Sequence, residues 1–172
     1  MSRVLSLRPP RPEDEAVVRA AITELRPEGF EFAPGWREGM TYADLLDALR
    51  DNGAGLDFRP HAWVPVSFLL AQVDGVVVGR TSVRHSLNEW LAAAGGHIGY
   101  AVLAAHRRRG YATEILRQSL LVARDHGVDR VLVTCDDDNV GSATVIERSG
   151  GVRDAEQPLA PGDPPKRRYR IS

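Results

Sequence analysis

The sequence predicts an α/β domain of 172 residues. Two strand-like stretches separated by Asp74-Gly75 span residues 67–85 and indicate a β-hairpin. Apolar residues then recur at helical spacing over 112–123, and a short run rich in β-branched residues, 128–135, is typical of a strand buried on both faces. Because no linker or repeat interrupts the chain, we expect residues 1–172 to form one domain around one core.

The first 50 residues predict one short strand and two helices. Residues 4–7 read as a strand that the following prolines end. The first helix is expected to begin near Pro12, since proline suits the first turn of a helix. Thr41 and Asp44 have the spacing of a capping box, which predicts the start of the second helix. The aromatic segment 30–39 between them is either a loop that faces a substrate or an irregular loop packed on the core.

The second half of the chain predicts a strand, a helix, a strand, a helix and a final strand. We expect these elements at 97–103, 112–126, 128–135, 139–148 and 167–172, in that order. A proline-rich loop, 158–165, precedes the last strand.

Charge and composition exclude several classes of function. Lys and Arg number 22 against 23 Asp and Glu, a formal net charge of −1. A general nucleic-acid or anionic-membrane binder needs a basic excess, so we expect neither kind of partner. The one cysteine, Cys135, cannot form an internal disulfide, and the N-terminal residues lack an apolar signal segment. We therefore expect a cytoplasmic protein, and no Cys/His spacing predicts a metal site.

A basic, glycine-containing turn, 107–112, separates a predicted strand from a predicted helix. Gly110 permits a tight turn and a close approach of the backbone to a ligand. The first N–H groups of the helix converge near the positive end of its dipole, and three arginines add positive charge. This arrangement predicts an anion site suited to pyrophosphate, and the alternative is a solvated basic turn that caps the helix. The P-loop pattern and the dinucleotide-binding GxGxxG pattern are both absent.

The order and spacing of these elements resemble the GCN5-related N-acetyltransferase (GNAT) superfamily. Arg107, Gly110 and Ala112 match its acetyl-CoA signature, Q/R-x-x-G-x-G/A, and residues 139–142 resemble its N-x-x-S/A helix start. The pieces SVRHSLN and GGHIGY resemble a bacterial subgroup of predicted acetyltransferases. The resemblance implies a three-layer α/β (α+β) fold, with a mixed, mostly antiparallel sheet flanked by helices. Its fourth and fifth strands splay apart to form a V-shaped gap.

The resemblance also implies where acetyl-CoA, as a cosubstrate, would bind. It would lie in the gap between the splayed strands, with its pyrophosphate on the backbone amides of residues 107–113. The implied binding residues are Val102, Leu103, Arg107, Arg108, Arg109, Gly110, Tyr111, Ala112, Thr113, Asn139 and Ser142. A backbone N–H near Val102 or Leu103 would polarise the thioester carbonyl. Asn139 would bond the pantetheine arm or the nearby backbone, and an ordinary N-cap is its alternative role.

The sequence identifies the catalytic acid and base less clearly than it identifies the residues implied to bind acetyl-CoA. Many family members have a tyrosine seven residues after the asparagine, where this chain has Ile146, which donates no proton. Tyr100 is the candidate replacement, and an unaided thiolate departure is the alternative. An amine must lose a proton before it attacks a thioester, so a base is also expected. The candidates are His97 and His85 at strand ends, followed by Glu89, and a structural role is the alternative for each histidine.

The implied function is acetyl transfer from acetyl-CoA to a primary amine in a ternary complex. The polar and aromatic cluster 84–90 is the candidate acceptor site, and a small molecule or amino acid is favoured over a protein as the acceptor. One alternative is a transferase that uses a longer acyl-CoA. The other is a non-catalytic CoA-binding or regulatory domain, which Ile146 keeps open. Family members are often dimers, so a homodimer is an open alternative for this chain, whose sequence does not define its oligomeric state.

Overall fold

The computed structural model of the protein describes residues 4–56, 63–154 and 164–172. The strands in these ranges are β1 (Leu5–Arg8), β2 (Val66–Val73), β3 (Val76–Arg84), β4 (Ile98–Val102), β5 (Val131–Asp136), β6 (Val152–Arg153) and β7 (Lys166–Ile171). They form a seven-stranded sheet in the order β1-β2-β3-β4-β5-β7-β6. Neighbouring strands are antiparallel except β4 and β5, which are parallel. The mixed, mostly antiparallel sheet is therefore confirmed.

Helices cover both faces of the sheet. The α-helices of the described ranges are α1 (Glu15–Leu25), α2 (Tyr42–Arg50), α3 (Tyr111–Asp125) and α4 (Val140–Arg148). The first two pack on one face, where Leu25 and Leu45 join Phe68 of β2 in one apolar cluster. The other two pack on the opposite face, where Leu116 and Ile146 join residues of β5 and β7 in a second cluster. The three-layer architecture is confirmed.

Local sequence signals define the turn of the hairpin and the start of α2. The Thr41 hydroxyl accepts a hydrogen bond from the Asp44 N–H at 3.1 Å, and the Asp44 carboxylate accepts one from the Thr41 N–H at 3.0 Å. This is the predicted capping box. Asp74 and Gly75 have φ angles of 51° and 80°, as expected for the two-residue turn that joins β2 to β3.

Some boundaries differ from the prediction. β5 begins at Val131 rather than at Val128, because the Val128 N–H still bonds to the Ala123 carbonyl at the end of α3. A π-helical turn at Leu91–Gly95 and the two-residue strand β6 were not predicted. The predicted proline-rich loop, 158–165, lies largely outside the described residues.

Candidate functional site

A cavity of about 550 Å³ opens where β4 and β5 separate. It is lined by residues 29–31 and 34–36, by one face of β3, by the π-helical turn, by the splayed strands and by the start of α4. This volume lies within the range of roughly 300–1,000 Å³ that is typical of small-molecule sites. Segment 30–39 combines both interpretations, because Phe30, Glu31 and Trp36 line the cavity whereas Phe32 and Ala33 are buried in the apolar cluster beneath it.

The gap between β4 and β5 leaves backbone groups without a strand partner. The two strands pair at Ile98 and Val133 and diverge beyond that point. On its other edge β4 pairs with β3, and the Leu103 N–H donates to a β3 carbonyl at 2.9 Å. Because backbone groups alternate in direction along an antiparallel pair, the N–H groups of Tyr100 and Val102 point into the gap. Leu103, predicted to polarise a carbonyl, therefore has its N–H committed to the sheet.

The turn before α3 presents backbone donors at its surface. Arg108 and Gly110 both have left-handed conformations, with φ angles of 62° and 81°. Gly110 is the N-cap residue of α3 and has no side chain to cap it. The first N–H groups of the helix, those of Tyr111, Ala112 and Thr113, lie at the positive end of its dipole. The turn therefore has the backbone features from which the anion site was predicted, and anion binding there stays a prediction.

The arginines of this turn have different surroundings. The Arg107 side chain donates to the Val102 carbonyl at 3.0 Å and forms an ion pair with Glu28 at 2.8 Å. It therefore ties the turn to β4 and to the segment that follows α1. Arg108 and Arg109 are exposed to solvent, and neither they nor the rest of the turn lines the cavity.

Tyr100 and the start of α4 meet at the cavity wall. The Tyr100 hydroxyl lies 2.9 Å from Ser142 Oγ, and Asn139 Oδ1 accepts a hydrogen bond from the Ser142 N–H at 3.0 Å. Asn139 therefore caps α4. Burial raises the pKa of Tyr100 to about 12, although the Ser142 hydrogen bond acts in the opposite direction. The phenol stays protonated at neutral pH and is available as a hydrogen-bond donor beside the gap.

The predicted bases do not line the cavity. His97 is 8% exposed, and its Nδ1 accepts a hydrogen bond from the Leu132 N–H at 2.9 Å. Burial, together with nearby arginine charges, lowers the pKa of His97 to about 4. The His85 ring stacks on His126 with their centroids 3.7 Å apart, and Glu89 is exposed. These positions argue against the predicted base role and give the two histidines structural contacts instead.

The cavity wall includes residues that were not predicted, among them Arg80 and Glu31. Arg80 is 2% exposed, and its Nη2 donates to the Glu31 backbone carbonyl at 2.5 Å. Its guanidinium also lies 4.5 Å from the centroid of the Phe30 ring. The available signal was a charged residue near the middle of a predicted strand that begins with three valines. Of the predicted acceptor cluster 84–90, Arg84 and Trp90 line the cavity.

The charged side chains of the described lining residues are Glu31, Arg80, Arg84, Asp136 and Lys166. Asp136 forms an ion pair with Lys166. Glu31, the other carboxylate of this set, forms no ion pair among the described residues. Within the described ranges, no group of three or more His, Cys, Asp and Glu side chains is placed to hold a metal ion. No helix in the same ranges has the length and apolar character needed to cross a membrane.

Comparisons with known proteins agree with this geometry. A family model described as "Acetyltransferase (GNAT) domain" matches residues 4–152. A search of the curated proteins found no match. Among solved structures, the acetyltransferase from Agrobacterium tumefaciens str. C58 is 20% identical with a TM-score of 0.61, covering 100% of this chain and 93% of that one.

Two further solved structures contain acetyl-CoA. The protein yncA from Salmonella typhimurium, solved with its cofactor acetyl-CoA, is 14% identical with a TM-score of 0.63, covering 97% of this chain and 92% of that one. The microcin C7 self immunity acetyltransferase MccE, solved with acetyl-CoA and AMP, is 15% identical with a TM-score of 0.64, covering 97% and 91%. At these identities the structural likeness shows the fold, and the family match covers most of the chain. The chain belongs to the acetyltransferase (GNAT) domain family.

Proposed function

We propose that the protein is an N-acetyltransferase that moves the acetyl group of acetyl-CoA directly to the primary amine of a small molecule. The observation that carries this proposal is the gap between β4 and β5, which opens on a cavity of about 550 Å³. Membership of the acetyltransferase (GNAT) domain family and the acetyl-CoA in two structures of the same fold support it. In the proposed reaction, acetyl-CoA supplies an activated acetyl thioester.

The turn before α3 is the proposed pyrophosphate site. The backbone N–H groups of residues 108–113 would bind the phosphate oxygens, since they lie at an uncapped helix N-terminus. The left-handed conformations of Arg108 and Gly110 shape the turn for this approach. The exposed Arg108 and Arg109 add positive charge at the same place. Arg107 contributes indirectly, through its ion pair with Glu28.

The gap-facing edge of β4 is the proposed site for the pantetheine arm and the thioester. The Val102 N–H would pair with the pantetheine arm, in the place of a missing strand partner. Tyr100 lines the cavity, whereas Val102 and Leu103 do not. We therefore assign the polarisation of the thioester carbonyl to the Tyr100 N–H.

The Tyr100 hydroxyl is the proposed donor to the departing thiolate. A pKa of about 12 keeps the phenol protonated at neutral pH. Because this pKa lies well above the ~8.5 of a thiol, complete proton transfer to sulfur is uphill, and the hydroxyl acts by hydrogen bonding. Ile146 is fully buried and does not line the cavity.

Glu31 is the proposed proton acceptor for the amine. It lines the cavity, whereas His97, His85 and Glu89 do not. An alkylammonium with a pKa of about 10 must be deprotonated before nitrogen attacks the carbonyl carbon. Glu31 would hold the ammonium by charge and take its proton, directly or through one water molecule.

Thermal unfolding with acetyl-CoA, CoA, ATP and buffer alone tests the cosubstrate. A ligand at about 100 times its Kd stabilises by roughly 2.7 kcal/mol, which shifts Tm by about 5–10 °C for a chain of this size. A shift with both CoA forms but not with ATP supports the proposal. Amine-dependent release of CoA then tests transfer. Tight CoA binding without release across a broad amine panel would favour a non-catalytic CoA-binding domain, and release only from longer acyl-CoA would change the donor.

A further inference from the structure

Three polar side chains of β3 face the cavity in a row. Arg80, Ser82 and Arg84 alternate along the strand, so they lie on one face of the sheet, the face that α1 and α2 cover. Arg80 and Ser82 are each 2% exposed. Arg80 Nη1 donates to Ser82 Oγ at 3.0 Å. The second half of β3 thus brings two guanidinium groups and a hydroxyl to one wall of the site.

The two guanidinium groups approach a single point above Gly99 of β4. A Cβ at position 99 would lie 3.7 Å from Arg80 Nη1, 4.0 Å from Arg84 Nη1 and 3.5 Å from Ser82 Oγ. Glycine leaves this point open. The strand register places Gly99 opposite Ser82, between the two arginines.

Neither arginine has a carboxylate partner within 4.0 Å among the described residues. Their acceptors include backbone carbonyls, those of Gly99 and Glu31 for Arg80 and that of Gly96 for Arg84. Arg80 Nε is buried and has no hydrogen-bond partner among the described residues. Burial of two like charges is costly unless an anion balances them.

The electrostatics of Arg80 agree with this geometry. Its pKa is lowered to about 9, first by burial and then by the charge of Arg84, and Glu31 acts in the opposite direction. Burial also lowers the pKa of Arg84, to about 10. Both groups remain charged at neutral pH, so the wall of the cavity carries two positive charges that repel each other.

We infer that the acceptor is a small amine that also carries a carboxylate, and that this carboxylate binds between Arg80 and Arg84 above Gly99. This inference rests on the proposed function. Guanidinium groups match carboxylate oxygens in geometry and charge. Gly99 directly precedes Tyr100 at the gap, so the carboxylate lies close to the proposed site of attack. The amine and the carboxylate are therefore only a few bonds apart, as in a free amino acid.

Glu31 completes the recognition of such a zwitterion. Its carboxylate acts to raise the pKa of Arg80 from beyond ion-pair distance, and the residue, which is exposed to solvent, lines the same cavity. One wall thus offers positive charge for the carboxylate, and the loop offers negative charge for the ammonium. Aromatic side chains of Phe30, Trp36 and Trp90 line the rest of the cavity and would contact the acceptor's side chain.

The test compares free amino acids with their primary carboxamides, which keep the amine and lose the charge. We expect kcat/KM for CoA release to be at least about 10-fold higher for the acids, since a charged hydrogen bond is lost in each amide. Arg84→Met should remove this preference, because methionine keeps the length but not the charge. The matched control Arg50→Met, at an exposed arginine paired with Asp47, should keep it. Equal rates for acids and amides in the native protein would overturn the inference and leave the proposed function intact.

A binding measurement decides the inference even where no amine is acetylated. N-acetyl amino acids, the products of the proposed reaction, should raise the Tm of the CoA-loaded native protein, and their carboxamides should not. Gly99→Ala serves as a second variant, because its methyl group meets only ordinary van der Waals contacts and projects into the space through which the carboxylate would approach the two guanidinium groups. The loss of stabilisation in this variant supports the site. No stabilisation of the native protein, or equal stabilisation of all variants, would overturn it.

Discussion

Replacing Tyr100 by phenylalanine removes one hydroxyl from the cavity wall and tests its role beside the leaving thiolate. The hydroxyl lies 2.9 Å from Ser142 Oγ, and its pKa of about 12 keeps it protonated across the usual assay range. A hydrogen bond to a charged group contributes about 1.5–3 kcal/mol. Since each ~1.4 kcal/mol changes a rate tenfold, we expect kcat to fall roughly 10- to 150-fold.

The assay follows CoA release with a thiol reagent at saturating amine and acetyl-CoA, and calorimetry gives the Kd for acetyl-CoA. That Kd should stay within about twofold of the native value, because the hydroxyl acts on the reacting sulfur. Tyr169→Phe is the matched control. Tyr169 is 1% exposed and donates to Glu147 at 2.8 Å, but it does not line the cavity. It should lose about 1–2 kcal/mol of stability and keep its kcat.

A Tyr100→Phe protein that folds and keeps the native kcat would refute this reasoning, and the thiolate would then leave without help. Equal losses in kcat and in acetyl-CoA affinity would also contradict it. In that case the lost contact with Ser142 would have displaced the start of α4.

Three further predictions concern the turn before α3, a buried histidine and the packing of β3 on β4. Gly110→Val forces a β-branched residue to a φ of 81°, which should cost ~1–2 kcal/mol of stability and weaken acetyl-CoA binding at least about tenfold. Gly127→Val, at a φ of 79° beyond the other end of α3, should lose a similar amount of stability and bind acetyl-CoA normally. The pKa of His97 is about 4 in the folded protein and ~6.5 in the unfolded chain. The neutral histidine therefore contributes roughly 3 kcal/mol to the free energy of unfolding above pH ~6.5, and this contribution is lost as the pH falls towards 4. Urea unfolding at pH 7 and 5 should therefore show a smaller pH dependence in His97→Asn. Gly79→Ala sets a Cβ against a backbone carbonyl of β4 and should cost about 3 kcal/mol or more, whereas Gly99→Ala should cost under about 1 kcal/mol.

Each of these expectations has a contrary result. Equal acetyl-CoA affinities for the Gly110 and Gly127 variants would remove the turn from the binding site. An unchanged pH dependence in His97→Asn would show that other groups cause the acid destabilisation. Equal urea midpoints for the Gly79 and Gly99 variants would show that β3 and β4 separate easily.

The sequence predicted the elements whose causes are local. The hairpin turn at Asp74-Gly75 and the capping box at Thr41 depend on neighbouring residues, and both formed as expected. The π-helical turn at Leu91–Gly95 depends on a distant residue. Arg168 of β7, 5% exposed, donates to the Ala93 carbonyl at 2.7 Å and holds this turn against the sheet. No pattern within residues 91–95 predicts that contact.

The candidate site likewise has one part that the local sequence predicts and another that only the fold assembles. The turn before α3, the proposed pyrophosphate site, is contiguous in the chain, so residues 107–112 were sufficient to predict its glycine turn and the start of the helix. The proposed acceptor wall joins Arg80 to Glu31, which are 49 residues apart, and only the fold brings them together. His97 was a candidate base because histidine titrates near neutral pH, but burial removed it from that range. A sequence names the residue type, whereas the surroundings set its protonation.

The short pairing between β4 and β5 also affects the motion of the two parts of the sheet relative to each other. In the described chain the strand register between β4 and β5 is limited to Ile98 and Val133, next to a backbone hydrogen bond from the His97 N–H to the Leu132 carbonyl at 2.7 Å. The boundary between β1–β4 and β5–β7 is therefore a seam that is paired over a short stretch only. The amides of Tyr100 and Val102 along this seam should exchange hydrogen with solvent faster than those within β3. A bound pantetheine arm would act as a surrogate strand across the seam. Slower hydrogen exchange of these amides on ligand binding would then show that the ligand links the two parts of the sheet.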